Sequence, residues 1–552
     1  MERINKHIPW IFLIAIAVLI SCSCGIISER MSLDEDIYLC EGSFSLQSND
    51  EIRKTVSLVF SELNSKQQYP QIDIFKPFDG TIFPRDTAAP VISWERNYPG
   101  VVTWLVVIRF IDSRYALYLL TDKPTWTPDK NTWDIIKAQS LERPASITIS
   151  GLSGTKRLSV LATGRITITT SKDEMAVPIF YQHMPLPFAT AKENPKLSVW
   201  RLGLVSSYEE PPVVMKNLPV CGNCHCISRD GTLLGMDMDV NKDKGAYVVK
   251  QVKESMIVNR DDFISWNDFQ ESDGIKSMGL FSRISPDGKF IVSTVKEKSF
   301  FTMIPDIEFS QFFFPIRGLI ACYSLEEDRF FSLPGADNPC FVQTCPVWSP
   351  DGKYVVFARA KTDRRLEEIV GDKGYITINS GERISDLNKK YQIHFDLYRV
   401  PFNNGKGGIP EPLAGASNNG KSNYFPRYSP DGKWIVFTQS PTGLAIQPQS
   451  KLVIIPSSGG AARIMTCNLD IMNSWHSWSP DSRWIVFASK ANSAYTELFI
   501  THVDESGNDS PPVLLSRFNS PVRASMVPEI VNVRPDTMKS ITLSGDSISW
   551  KD

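Results

Sequence analysis

The chain has 552 residues, with 59 Lys and Arg set against 61 Asp and Glu, and 42% of its residues are hydrophobic. That near-neutral balance supplies no phosphate-neutralising surface, so nucleic acid is excluded as an expected partner. The 37 prolines, 32 glycines and 11% aromatic residues suit many short strands joined by turns, and the length allows two or three domains.

The first residues are expected to be a targeting segment. "MERINKH" is a short positive stretch, and "IPWIFLIAIAVLI" is an apolar run of signal-peptide rather than membrane-spanning length. It ends in Leu19-Ile20-Ser21-Cys22, which resembles the bacterial lipobox, with Cys24 as the alternative acceptor. The resemblance implies that residues 1–21 are removed and that Cys22 carries the lipid. The chain would then be a lipoprotein of the cell envelope, periplasmic or outer-membrane associated, held to the membrane by its N-terminal anchor in a compartment where disulfides persist. Residues 22–73 read as a tether with one amphipathic helix near 51–65. From 74 to 190, "APVISWER", "VVTWLVVIRF", "ALYLLTD", "ASITISGL" and "GRITITTSKDE" alternate apolar and polar residues between turn signals. They predict a small β-sandwich of immunoglobulin or fibronectin type.

Residues 195–552 contain a repeat. "FSRISPDGKFIVSTV" (281–295), "CPVWSPDGKYVVFAR" (345–359), "FPRYSPDGKWIVFTQ" (425–439) and "WHSWSPDSRWIVFAS" (475–489) align directly. Ser-Pro-Asp-Gly forms a tight turn, in which Pro fixes φ, Asp bonds back to the backbone and Gly accepts a positive φ. The strand that follows is β-branched and aromatic and must be buried in a sheet. A fifth copy, "CHCISRDGTLLGMDM" (224–238), keeps Ser228, Asp230 and Gly231 in register but has Arg229 in place of the proline. These copies resemble the TolB-type, WD40-like propeller repeats. The resemblance implies an all-β chain whose sandwich precedes a TolB-like β-propeller of six blades, with seven as the alternative. The sixth blade would be shared between "LSVWRLGLV" and a strand in 520–550. A longer similarity over residues 75–535 links the chain to bacterial envelope proteins that join a sandwich to such a propeller, a group that implies fold more than function.

The lead-in to the first copy holds Cys221-Gly222-Asn223-Cys224-His225-Cys226. Cys-x-x-Cys-His is the attachment signature of c-type haem, in which two thiols form thioethers and the histidine ligates iron. Repeat register suggests the second ligand. His225 and His476 each lie three residues before the repeat serine, so a bis-histidine iron site or a histidine pair over the channel is one expectation. Met236 and Met238 are competing ligands, better read as core. Other readings stay open. Cys221 or Cys224 could pair with Cys226, Cys345 or Cys467 in a disulfide, Cys224 and Cys345 sharing one register. Cys221, Cys224 and His225 could hold zinc with Cys226 or His476. Free buried thiols are the plain alternative, and Cys40, Cys322 and Cys340 read as structural.

Asp237, Asp239 and Asp243 lack the Gly and Glu of an EF-hand and read as a polar hairpin. No Gly-x-Ser-x-Gly, Walker or His-Glu-x-x-His motif is present. The sequence therefore leads to a non-enzymatic envelope binding module or scaffold. Haem would give it an electron-transfer or redox role. Without haem, the propeller face would bind a protein or glycan ligand, and a carbohydrate-active propeller is the third class. If the anchor is as read, Cys22→Ser will abolish acyl-chain incorporation in metabolic labelling and release the chain from washed membranes. Unchanged labelling would remove Cys22 as the acceptor.

Overall fold

The computed structural model describes residues 35–42, 48–63, 68–154, 159–303, 307, 309, 311–371, 386, 389, 390 and 392–545. The expected signal segment, Cys22 and Cys24 lie outside the described residues.

The Ser-Pro-Asp-Gly turns close as their chemistry requires. In one, Ser285 Oγ donates to Asp287 Oδ1 (2.5 Å), Phe290 N donates to Ser285 Oγ (2.9 Å) and Gly288 N donates to Ser285 O (2.9 Å). The imperfect copy makes the same set. Ser228 Oγ donates to Asp230 Oδ1 (2.6 Å) and Leu233 N to Ser228 Oγ (2.9 Å), so the serine and aspartate hold the turn without proline.

Each turn joins the two inner strands of an antiparallel unit. Blade 1 runs Gly222–Ile227, Leu233–Met238, Ala246–Gln251 and Phe263–Ser265. Blade 2 runs Leu280–Ile284, Phe290–Met303, Gln311–Ser324 and Arg329–Ser332, and blade 3 runs Phe341–Trp348, Tyr354–Lys361, Asp396–Pro401 and Glu411–Pro412. Blades 4 and 5 begin with Ser422–Tyr428 and Asn473–Trp478. Blade 6 takes its inner strand, Ala524–Ile530, from the end of the chain and its outer strands, Ile179–Met184, Val199–Gly203 and Val213–Met215, from before blade 1. The inner strands of successive blades touch in a closed ring, so the protein is a six-bladed β-propeller. Ser540–Leu543 and Ser255–Val258 extend the outer edge of blade 6 in parallel.

The N-terminal part is a sandwich of a six-stranded and a three-stranded sheet. Its outer strands Ile37–Cys40 and Thr81–Phe83 pair in parallel, unlike the wholly antiparallel immunoglobulin or fibronectin pattern. Two expected boundaries are corrected. Residues 37–63 are not a tether. Ile37–Cys40 joins the large sheet, and the helix Asn49–Leu63 buries Ile52, Val56 and Val59 against Leu105, Val107 and Leu120. The sandwich also ends before 190, because Ile179–Met184 is a propeller strand, buried between two partners. The sandwich core continues into blade 5, where Trp484, Val486 and Ile500 are fully buried with it. At that seam His502 Nε2 meets Asp173 Oδ2 at 2.8 Å. Burial alone would raise the Asp173 carboxyl, but the His502 and Ser171 contacts outweigh it and hold it below its usual range.

Ending the chain at residue 523 removes the inner strand of blade 6. Such a chain is expected to lose the cooperative urea transition shown by one ending at 545. A retained transition of equal steepness would mean that the ring does not need this closure.

Candidate functional site

The inner strand of each blade is kinked near the axis. Ladder register shifts between Gly222/His225, Leu280/Arg283, Thr344/Val347, Tyr424/Arg427 and Ser474/Ser477. At four of these bulges, and in blade 6, a residue other than glycine adopts a positive φ: Phe281 (62°), Cys345 (54°), Phe425 (51°), Trp475 (50°) and Val527 (47°). Such backbone costs about 1–3 kcal/mol per residue and marks sites where the fold is held to a purpose. Four of the five lie four residues before the repeat serine, as does Cys224. The rings close over one another, Phe281 to Phe425 at 5.1 Å and Phe425 to Trp475 at 4.8 Å.

Above this plug lies a cavity of about 1560 Å³, on the face away from the repeat turns. Cys221, Cys224, Asp237, Glu297, Phe313 and Trp475 contribute to its wall. The paired 14-residue strands of blade 2 reach over it, and Ala445 N of blade 4 donates to Phe313 O (2.8 Å). These long strands are therefore part of the cavity wall.

The cysteine-histidine stretch divides between two faces. Cys221 and Cys224 open to the cavity, and burial pushes the Cys224 thiol up to about 12, with Asp237 adding to the effect. His225 turns the other way, 1% exposed, with Phe180 of blade 6 edge-on at 4.5 Å. Neither ring nitrogen makes a well-formed hydrogen bond. Burial, helped by Arg283, lowers this imidazole to about 3, so it is neutral. His476 lies in the seam between blades 4 and 5, where Nε2 donates to Val436 O (3.0 Å), and burial lowers it to about 3 as well. The two imidazoles thus face different seams, with blades 5 and 6 between them. The structure does not bring them together.

This geometry corrects the expected metal and disulfide sites. Successive residues on a strand point to opposite faces, so Cys224 and His225 cannot present sulfur and imidazole to one macrocycle. The residues do not fit the haem site read from the sequence, because the two thiols reach the cavity and the iron ligand does not. Among the described residues no three His, Cys, Asp or Glu side chains converge as metal ligands would, so Cys221, Cys224 and His225 are not gathered at one point. All eight described cysteines are free thiols. Cys226 lies against Tyr247 Oη (3.2 Å), Cys345 is buried in the axial plug, and Cys467 is fully buried. Met236 and Met238 pack in the core of blades 6 and 1. Asp243 accepts from Gly245 N (2.8 Å) and Ser265 Oγ (2.6 Å) in the turn after Met238, but Asp237 departs from the polar-hairpin reading, being a buried residue of the strand Leu233–Met238.

Sequence reasoning missed the charged level beneath the plug. Arg283 Nη1 donates to His225 O (3.1 Å) and pairs with Glu529 (3.3 Å), while Glu529 also accepts from Ile227 N (3.2 Å). Arg427 shares the level and is lowered to about 9 by burial and then by Arg283. Arg229, free of the proline ring, donates across the turn face to Pro350 O (2.7 Å) and Pro430 O (3.3 Å). Part of the signal was present: Arg283 and Arg427 each lie two residues before their repeat serine, whereas Glu529 lies outside the five copies.

The buried histidines set a pH dependence. A folded value near 3 against an ordinary 6.5 gives stability that is full above pH 6.5 and declines as pH falls towards 3. The slope reaches about 1.4 kcal/mol per pH unit for each ring. His476→Asn is expected to flatten the acid limb of the denaturant midpoint against pH. An unchanged limb would show that the ring is not held neutral.

No protein-family model matches the chain, and no curated protein matches it either. Solved structures that it resembles include TolB from Acinetobacter baumannii, at 15% identity over 70% of this chain and 79% of that one (TM-score 0.39). Others are the putative TolB from Agrobacterium tumefaciens, at 16% identity over 66% and 96% (TM-score 0.34), and hydrazine synthase from Kuenenia stuttgartiensis, at 13% over 51% and 76% (TM-score 0.27). The blade assignment rests on the strand pairings themselves.

Proposed function

We propose that this chain is a haem-free binding module of the cell envelope, anchored through Cys22, whose cavity takes a segment of a protein partner. The observation that carries the reading is the cavity itself. Its volume of about 1560 Å³ exceeds the roughly 300–1,000 Å³ of ordinary small-molecule sites. Its wall mixes aromatic rings with charged groups, and it lies on the face away from the repeat turns.

Photo-crosslinking in living cells tests this. A photoreactive side chain at Ile446, on the cavity wall, is expected to give a discrete protein adduct, and one at Gly352, on the turn face, none. Adducts from Gly352 alone, or from neither position, would overturn the reading. Its haem-free aspect is checked separately. Protein exported alongside machinery that matures c-type cytochromes is expected to give no pyridine haemochrome and an unmodified Cys221–Cys226 peptide by mass spectrometry. Haem mass on that peptide would defeat it.

A further inference from the structure

The cavity wall holds two buried carboxyl groups that the protein leaves without a counter-charge. Asp237 lies on the second strand of blade 1, is 7% exposed, and has neither an ion-pair nor a hydrogen-bond partner among the described residues. Glu297 lies at the irregular step of the long blade 2 strand and is 6% exposed. Its Oε1 accepts from Met278 N (2.6 Å), and the backbone N–H groups of Gly279 and Leu280 also face the carboxyl, though Oε2 makes no well-formed hydrogen bond. A buried carboxylate is costly unless it is paired, so carboxyl groups in this state are retained either protonated or for a ligand.

Lys276 and Lys298 also line the cavity, but neither forms an ion pair with Asp237 or Glu297 among the described residues, and the other cations nearby have partners of their own. Arg283 faces Asp237 but pairs with Glu529, and Lys244 pairs with Asp239. Arg317 beside the cavity donates to Lys296 O (3.0 Å) and lies 4.0 Å from Glu367. The other titratable groups that Asp237 senses are Cys224 and Tyr247, both neutral because burial raises them, and Asp239 and Glu297, which repel it. Aromatic faces complete the surroundings, since Phe313 and Trp475 line the same cavity and Phe281 stacks on Phe313 at 5.8 Å. Carboxyls without an ion-pair partner and aromatic rings on the wall of one cavity supply the chemistry that recognises organic cations.

We propose that Asp237 and Glu297 form a cation-selective subsite that receives a lysine ammonium or arginine guanidinium from the protein partner. This rests on the preceding reading of the cavity as a protein-binding site. Proton linkage follows from the same groups. Burial raises Asp237 well above its usual range and Glu297 to about 7. Entry of a cation favours their ionised forms, so binding near pH 7 releases protons to solvent, and affinity rises as pH increases from about 5.5 to 7.5.

Calorimetry of the full chain with N-acetyl-arginine methylamide and N-acetyl-lysine methylamide tests the subsite. N-acetyl-citrulline methylamide serves as the neutral match. At least one cationic probe is expected to bind ten-fold or more tightly than the citrulline probe. Its heat should vary with buffer ionisation enthalpy in the sense of proton release. Asp237→Asn is expected to remove that preference while keeping the cooperative thermal transition, since it replaces a carboxyl that holds no ion-pair or hydrogen-bond partner in the fold. Should Asp237→Asn fail to fold, Glu297→Gln is expected to lose the buffer dependence in its place. Equal binding of the citrulline probe, no binding of any probe, or unchanged proton release in a folded variant overturns the subsite. If the Ile446 adduct still forms in that case, the binding module stands and only its cation selectivity falls. If the adduct is also absent, both fall.

Discussion

The pairing of Ala524–Ile530 with Ile179–Met184 is the constraint on which the rest of the structure depends. A propeller is a ring, and a ring of radial sheets leaves two raw edges unless one sheet is built from both ends of the chain. Closure does more than protect an edge. Blade 6 supplies Phe180 against His225, Glu529 to Arg283 and Ile227, and Val527 to the axial plug. The cavity wall therefore borrows residues from both ends of the propeller. It is assembled only once the last strand has docked.

Around the axis, local strain and burial are arranged together. The inner strands accept a bulge and a left-handed residue so that large side chains meet at the centre, where flat strands would leave a pore. The cost is borne by bulky residues that disfavour this conformation, Phe281, Phe425 and Trp475 among them. The same bulge in blade 1 separates Cys224 from His225. One side chain joins the cavity and the other becomes a neutral wedge between blades.

Much of the fold was legible. The Ser-Pro-Asp-Gly copies mark the turns because their hydrogen bonds are local, and the register of Ser228 survives the loss of proline for the same reason. The shared sixth blade followed from counting copies against available strands. The helix Asn49–Leu63 was visible as an amphipathic period, but not its docking on the sandwich, since the strand that brings the chain there, Ile37–Cys40, has only four residues. The site was less legible. A Cys-x-x-Cys-His spacing is informative only when its backbone is known: on a helix it gathers its groups, and on this strand it disperses them. Glu297 carried no signal, and Asp237 drew notice only as one of three nearby aspartates, because each is made unusual by blades distant in sequence.

Arg229 gives the imperfect repeat a different meaning. By spanning to Pro350 and Pro430 it bars the turn-side mouth of the axis, with the aromatic plug above it. The propeller is consequently a blind well rather than a tube. The axis therefore offers no second opening to the cavity, which is reached from one face only. A repeat that has lost its proline is here the bottom of the vessel.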